Sequence, residues 1–246
     1  MRAPLMAGQT VVVIGGSSGI GLETARFAHD EGADVILTGR DSTRLTQAAH
    51  DVGATSTSAF DVTDDDALAG FFEALPGPVD HVMVTAGSPR YAPLLEMGRA
   101  QILQTVGGSV STYLAVARCA ATKMRADGSL TLMGGTGGRQ IGKGIGINAV
   151  TTAEMPPLTA SLALELAPIR VNLIAAGFVD TPLSATLLGD QLEQRRADLR
   201  ARLPIRRVVE ATDVAALAVH LMTNTALTGA TFDIDGGQQF IAPQTN

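Results

Sequence analysis

The segment TVVVIGGSSGIG, residues 10–21, decides the fold of this chain. Its first part, Thr10 to Ile14, is a β-branched run typical of a buried strand, and the glycine-rich part that follows is typical of a tight turn. Residues 22–31 then place apolar side chains at helical spacing, and this pattern stops at Gly32. The sequence therefore predicts a strand, a turn and a helix in that order.

The same alternation recurs to the C-terminus. Further strands are predicted over residues 34–38, 56–60, 80–85, 129–133, 169–174 and 231–234. Further helices are predicted over residues 42–51, 64–75, 99–124 and 211–222, and one more ends at Ala167. Strands joined by helices require right-handed crossovers and a parallel sheet. We therefore predict an α/β fold in which one Rossmann-type domain, residues 1–246, holds a doubly wound parallel sheet of seven strands with helices on both faces.

Composition excludes several classes of protein. The chain is 46% apolar and 17% charged, which is enough to build a large core and excludes a disordered chain. Its net charge of -6, without a basic run, argues against nucleic-acid binding. A single cysteine, Cys119, and four scattered histidines argue against a disulfide framework and a metal site. No apolar run approaches the ~20 residues of a membrane span, so the sequence predicts a cytoplasmic protein that binds no membrane.

The residues just after each strand are the first candidates for function, because ligands of a doubly wound sheet bind beyond the carboxyl ends of its strands. Three glycines follow the first strand and allow a tight turn, close approach of the backbone to a pyrophosphate and close packing of the helix. The helix N-terminus adds free N–H groups. Glycine also serves plain turns, but the strand before the cluster and the helix after it favour a nucleotide site. Its predicted residues are Gly15, Ser17, Ser18, Gly19, Ile20 and Gly21.

The spacing Gly15-x-x-x-Gly19-Ile20-Gly21 resembles the cofactor loop of the short-chain dehydrogenase/reductase family. Other segments resemble motifs of that family in the same order over essentially the whole chain. They are Asp61-Val62, Thr85-Ala86-Gly87, Arg170-Val171-Asn172, the stretch from Gly177 to Thr181, and Asp235-Gly236-Gly237. Two departures are visible, because the asparagines that usually lead the motif at 85–87 are replaced and Ala176 stands where proline is usual. The resemblance implies a dinucleotide cofactor that also contacts Asp61, Val62, Ala86, Gly87, Gly177, Val179 and Thr181.

The end of the second predicted strand distinguishes the two nicotinamide coenzymes. An acidic side chain there accepts hydrogen bonds from the ribose of NAD and repels the 2′-phosphate of NADP. Here Gly39 holds that place and Arg40 follows. The guanidinium can pair with the phosphate, and Ser17 can add a hydroxyl donor. We therefore predict NADP(H) as the cofactor; the alternative is that Arg40 only solvates the start of a helix beside Arg44.

The catalytic positions depart from the family. Its ketone-reducing members resemble one another in a serine, and in a tyrosine and a lysine four residues apart, which together hold the carbonyl oxygen and deliver the proton. We count back from the matching segment SLALELAP, residues 161–168. The tyrosine position then falls on Asn148, the lysine position on Thr152 and the serine position on Gly135. The resemblance therefore implies an atypical active site.

Three nearby side chains are candidates for catalysis: Asn148, Thr136 and Thr152. The Asn148 amide can donate a hydrogen bond to a carbonyl oxygen, but it cannot release a proton near neutral pH. The threonines can orient a water molecule or a ribose hydroxyl. The alternative for Asn148 is that it caps a helix or faces the cofactor, and Lys143, in a glycine-rich loop, is more simply a solvated residue.

Prolines at 156 and 157 fall where the family has its catalytic helix. Proline removes a backbone donor and clashes with the preceding turn, at roughly 3 kcal/mol each inside a helix. The sequence therefore predicts a kink or a fresh helix start near Met155.

A basic face is predicted on a later helix, formed by Arg195, Arg196, Arg200 and Arg202. The interspersed Glu193 and Asp198 favour a solvated helix, and capture of an anionic substrate is the alternative.

Three functions remain open at this point. The first is an NADP(H)-dependent oxidoreductase that acts on a small carbonyl or alcohol substrate and takes its proton from water or from the substrate. The second is a non-catalytic NADP(H)-binding sensor or partner protein, which the absent tyrosine and lysine favour. The third is a lyase or isomerase on the same fold. The resemblance also implies a homodimer or homotetramer.

Overall fold

The computed structural model of the protein describes residues 3–139 and 141–241. Its strands are β1 (Thr10–Ile14), β2 (Asp34–Gly39), β3 (Ser56–Ala59), β4 (Val79–Val84), β5 (Met124–Gly135), β6 (Arg170–Ala176), β7 (Val179–Asp180), β8 (Val209–Glu210) and β9 (Thr231–Ile234). Its α-helices are α1 (Gly19–Asp30), α2 (Ser42–Val52), α3 (Asp65–Ala74), α4 (Arg99–Ala121), α5 (Gly146–Ala153), α6 (Met155–Glu165), α7 (Pro182–Leu188), α8 (Leu192–Arg202) and α9 (Ala211–Thr223). Short 3-10 turns cover Leu94–Glu96, Thr136–Arg139, Gly189–Gln191 and Gln238–Phe240.

Seven strands form one sheet in the order β3-β2-β1-β4-β5-β6-β9. Every neighbouring pair in it is parallel. The chain steps outward from β1 to β3 and then crosses back to β4 on the other side of β1. The strand order therefore reverses between β1 and β4, and a crevice opens beyond their carboxyl ends. The predicted α/β fold with a seven-stranded doubly wound sheet is confirmed.

Helices cover both faces of the sheet because successive side chains of each strand point in opposite directions. Val12 and Ile14 join a buried cluster with residues of α3, α4 and α6. Val11 and Val13 join a second buried cluster with residues of α1, α2 and α9. The apolar side chains of the central strands are thus buried against helices on both faces. The C-terminal ends of these strands are the part of the sheet that can bind a ligand.

The first helix begins three residues earlier than predicted, at Gly19 instead of Leu22, with the extended Ser18 as its cap. The apolar periodicity starts only at Leu22, but glycine is permitted in a first turn, and Gly19 itself has a φ of +55°. Because α1 starts at Gly19, the backbone N–H groups of residues 19–21 lie at the helix end, where they have no acceptor within the helix.

Strand β5 extends beyond the predicted 129–133 at both ends. It begins at Met124, which pairs with Val79 of β4, so the helix predicted to reach residue 124 ends earlier, at Ala121. At the other end its glycines stay paired. Gly134 and Gly135 align with Ala175 and Ala176 of β6. The two-residue strands β7 and β8, which pair with each other outside the main sheet, were not predicted because they are too short to carry an alternating pattern.

The helix break near Met155 is confirmed. Helix α5 ends at Ala153, Glu154 lies between the two helices, and α6 begins at Met155. Pro156 and Pro157 occupy the first turn of α6, where backbone N–H groups have no helical acceptor in any case. The two prolines are therefore tolerated only because a new helix starts there.

His81 gives the folded protein a pH-dependent stability. The ring is 3% exposed, with Nδ1 2.8 Å from Ser129 Oγ and Nε2 3.1 Å from Gln9 Oε1. Burial, assisted by the charge of Arg170, lowers the pKa of His81 from 6.5 to about 4. Between these two pKa values the unfolded chain binds a proton that the folded chain excludes, so stability falls as the pH is lowered.

We expect the unfolding free energy to fall by about 2 kcal/mol when the pH is lowered from 7 to 5, because His81 takes up a proton only in the unfolded chain. Urea denaturation of the wild type and of His81→Gln at both pH values measures the difference in slope. His50→Gln, at an exposed position, should keep the slope of the wild type. Equal pH slopes for the wild type and His81→Gln would show that His81 does not exclude the proton.

Candidate functional site

The glycine loop is closed tightly onto the end of β4. Thr85 Oγ1 lies 3.1 Å from the carbonyl oxygens of both Ile14 and Gly15, and Ala86 N donates to Ile14 O at 3.1 Å. A methyl group added at Gly15 would lie 2.7 Å from Thr85 Oγ1, and one at Gly21 would lie 2.3 Å from Gly15 O. The loop therefore excludes side chains at both glycines and brings the predicted residues at 15–21 and 86–87 to one edge.

Ser17 of the glycine loop lies against the end of β2. A methyl group at Gly39 would meet Ser17 Oγ at 3.2 Å, so these two residues face each other directly. Arg40 is exposed at the same edge. Its charge also reaches Asp61, where hydrogen bonds from Thr63 lower the pKa of the carboxyl and Arg40 lowers it further. Ser17, Gly39, Arg40 and Asp61 thus surround one polar corner of the crevice.

The motif after β6 is tied to the glycine loop at one end and to the C-terminal turn at the other. The space beside Gly19 is filled by Thr181, whose Cβ would lie 3.4 Å from an added methyl group. Thr181 also caps α7 by accepting from Ser184 N at 3.3 Å. Gly177 lies against Asp235, where an added methyl group would approach to 2.7 Å. Val179 is buried in β7, so this loop is held rigidly beside the helix N-terminus.

The candidate catalytic residues lie together at the ends of β5 and α5. A methyl group on Gly137 would lie 2.5 Å from Asn148 Nδ2 and 3.3 Å from Thr152 Oγ1, so both side chains lean over this turn. Thr152 Oγ1 donates within its own helix, to Asn148 O at 2.8 Å. The Thr136 side chain is buried at the start of the same turn. A cavity of about 200 Å³ adjoins this corner, and its lining includes Gly135 and Thr152.

The basic face of α8 is mostly paired within the protein. Arg196 holds both carboxylate oxygens of Asp180 at 2.7 Å, and Arg202 lies 3.3 Å from Asp198. Arg195 differs, because its guanidinium carbon lies 5.9 Å from the centre of the Phe178 ring. The sequence did not distinguish it from its neighbours, since helical spacing does not show which arginine meets the loop after β6.

The part of the chain that the structure describes offers neither a membrane-spanning helix nor a metal-binding cluster. Within residues 3–139 and 141–241, no helix combines the length and apolar character needed to cross a bilayer. The same residues bring no three His, Cys, Asp or Glu side chains together in a way that can hold a metal ion.

A doubly wound sheet with this glycine loop at its switch point defines a class, the Rossmann-type dinucleotide-binding proteins. Comparison with known proteins gives the family. Residues 14–239 match a family model described as Enoyl-(Acyl carrier protein) reductase. The chain belongs to the short-chain dehydrogenase/reductase family, whose members bind a nicotinamide coenzyme, and it is an oxidoreductase of that type.

Several relatives align over nearly their whole length. A cis-4-hydroxycyclohexanecarboxylate dehydrogenase of Sinomonas cyclohexanicum is 30% identical over 94% of this chain and 96% of its own. Gluconate 5-dehydrogenase of Gluconobacter oxydans is 28% identical over 94% and 95%. A solved small-chain dehydrogenase in complex with NADPH is 26% identical, covers 94% of this chain and 99% of its own, and has a TM-score of 0.80.

Proposed function

We propose that this protein is an NADP(H)-dependent oxidoreductase that interconverts a small carbonyl compound and its alcohol without the usual tyrosine and lysine. The observation that supports the coenzyme most directly is the corner of Ser17, Gly39 and Arg40, which offers a hydroxyl and a guanidinium and has glycine instead of an acidic residue at the end of β2. The related structure described with NADPH supports the same choice. Two relatives named as dehydrogenases of hydroxyl-bearing acids support chemistry at an alcohol.

The residues present fit a dinucleotide. Added methyl groups at Gly15 and Gly21 would collide with atoms of the glycine loop and of Thr85, and one at Gly39 would press on Ser17. The backbone that a pyrophosphate and a ribose would approach is therefore held in a compact loop without side chains at these positions. The N–H groups at the start of α1 suit the pyrophosphate. We propose that Asp61 and Val62 face the adenine. Ala86, Gly87, Gly177, Val179 and Thr181 would line the path to the nicotinamide.

The coenzyme, when bound, supplies or accepts the hydride, and the chain must position the substrate and provide for the proton. We propose that the Asn148 amide donates a hydrogen bond to the substrate oxygen. Thr136 and Thr152 can accept hydrogen bonds from a water molecule, which serves as the proton source in place of the missing phenol. The hydroxyl of Thr152 is directed to its own helix, so its role is confined to its free lone pairs.

We expect Asn148→Ala to lower kcat for a reducible substrate by about 10- to 100-fold, because one donor to the developing oxyanion is lost. NADPH affinity, measured by calorimetry, should change less than threefold. NADPH oxidation over a panel of aldehydes, ketones, quinones and enones identifies the substrate for this test. Thr151→Val, on the same helix, is the control and should keep kcat.

The second candidate function is a non-catalytic NADP(H)-binding protein, and the absence of a side-chain acid at residues 148 and 152 favours it. Tight NADPH binding with no turnover on the whole panel would decide for it and against an oxidoreductase. The same proposal includes three further points. The protein is cytoplasmic, it forms a homodimer or homotetramer, and residues 1–246 make up one domain.

A further inference from the structure

Three side chains on separate elements are candidates for a further site at the carboxyl edge of the sheet, and the proposed chemistry uses none of them. Tyr91 lies in the loop after β4, Phe178 lies in the loop after β6, and Arg195 lies on α8. Both loops leave the carboxyl edge of the sheet, which is the edge of the glycine loop. Leu94, three residues after Tyr91, packs against Gly146 at the start of α5. The loop that carries Tyr91 therefore borders the helix that carries Asn148.

The guanidinium of Arg195 is held in place but is weakly satisfied. Its central carbon lies over the Phe178 ring, 5.9 Å from the ring centre, which is within the range of a cation–π contact. Its ion pair with Asp198 spans 3.5 Å, and Arg202 lies 3.3 Å from the same carboxylate. In the described part of the chain, Arg195 makes no hydrogen bond. The arginine thus shares one carboxylate and keeps its own hydrogen-bond donors for another acceptor.

Burial makes these donors effective. The Arg195 side chain is 27% exposed, and burial lowers the pKa of its guanidinium while Asp198 raises it. A guanidinium pairs with carboxylates through two parallel hydrogen bonds, and the interaction strengthens where water is partly excluded. The preferred ligand at this place is therefore a planar anion.

Tyr91 offers a second hydrogen-bond donor, on the loop after β4. Its side chain is 54% accessible, and the surrounding protein raises the pKa of the phenol while the charge of Arg195 lowers it. The phenol is therefore protonated at neutral pH, and it lies within electrostatic range of Arg195. A neutral O–H beside a guanidinium adds a further hydrogen bond to one anionic oxygen.

We propose that Arg195, with Tyr91, forms a subsite for a carboxylate of the substrate, so that the protein acts on a carbonyl or alcohol compound bearing an acid group away from the reacting carbon. The ring of Phe178 holds the guanidinium in place. This inference rests on the proposed function for its role in catalysis, but the subsite itself can be tested by binding alone.

The test compares carboxylates with their neutral amides on the full chain, free and saturated with NADP+. Three pairs of different size serve as probes: acetate and acetamide, benzoate and benzamide, 4-phenylbutanoate and 4-phenylbutanamide. Calorimetry should give at least tenfold tighter binding of the acid for one or more pairs. Arg195→Gln should remove this preference, and Tyr91→Phe should reduce it about threefold. Arg200→Gln removes the same charge from an exposed position of α8 and should keep it.

The outcomes are distinct. Equal binding of acid and amide in every pair, or an unchanged preference in Arg195→Gln, overturns the subsite. If Arg195→Gln does not fold, Arg195→Lys replaces it, and it should weaken acid binding because the planar fork is lost. Absence of NADPH binding overturns the proposed function, while the probes on the free chain still judge the subsite.

Discussion

Arg40→Ala should weaken NADPH binding by about 10- to 100-fold while NADH binding changes less than threefold. The reason is that a guanidinium at the end of β2 can form a charge-assisted hydrogen-bonded pair with the 2′-phosphate of NADPH, whereas NADH has no phosphate at that place. Arg40 is exposed, and the carboxylate of β2, Asp34, lies at the opposite end of the strand. Calorimetric titration with both coenzymes measures the ratio.

Arg44→Ala is the matched control for this result. Arg44 lies one helical turn farther along and is paired with Asp41 at 3.2 Å, where the Asp41 carboxylate also caps α2 by accepting from Arg44 N. Loss of its side chain should leave both affinities within twofold of the wild type. Equal weakening of NADPH and NADH in Arg40→Ala would support the alternative that Arg40 only solvates the helix start.

The converse change tests the same corner by adding a charge. The double variant Gly39→Asp/Arg40→Ala places a carboxylate beside Ser17, because a Cβ atom at residue 39 lies 3.2 Å from Ser17 Oγ. A carboxylate there accepts hydrogen bonds from ribose hydroxyls and repels a phosphate. The preference should therefore move toward NADH.

The fold could be predicted because its deciding signals are local. A β-branched run followed by glycines marks a strand end, and helical spacing marks what comes next, so seven strands were placed within a few residues. The errors lie where neighbours decide the outcome. Gly134 and Gly135 extend β5 only because β6 lies alongside, and Gly19 starts α1 because the loop needs its left-handed backbone.

The placement of the candidate site residues was predictable in part for the same reason. Motif order placed the glycine loop, Gly39 and Thr181 at one edge, and the contacts from Ser17 to Gly39 and from Gly19 to Thr181 bring these residues together. Spacing on a helix cannot show that Arg195 meets Phe178 while Arg196 meets Asp180, because both choices depend on the path of a distant loop. The sequence could not single out Tyr91, because one aromatic residue in a loop belongs to no helical or strand pattern.

A substitution at Gly21 should have the largest effect on both folding and binding. In Gly21→Ala the new Cβ would lie 2.3 Å from Gly15 O and 2.6 Å from Thr85 Oγ1. These are atoms of the closed loop, so either the loop shifts or α1 moves away from it. We expect a loss of about 1–3 kcal/mol of unfolding free energy and at least a 100-fold loss of NADPH affinity, because the pyrophosphate cradle is displaced.

Gly70→Ala separates this packing effect from helix propensity. Gly70 lies inside α3, as Gly21 lies inside α1, and an added methyl group there meets no atom within 4 Å. Propensity alone predicts that alanine stabilises both helices by about 0.5–1 kcal/mol. Packing predicts opposite signs, with Gly70→Ala more stable than the wild type and unchanged in NADPH binding. Urea denaturation and calorimetry on the two variants decide between them, and a Gly21→Ala protein as stable and as tight-binding as Gly70→Ala would refute the closed loop.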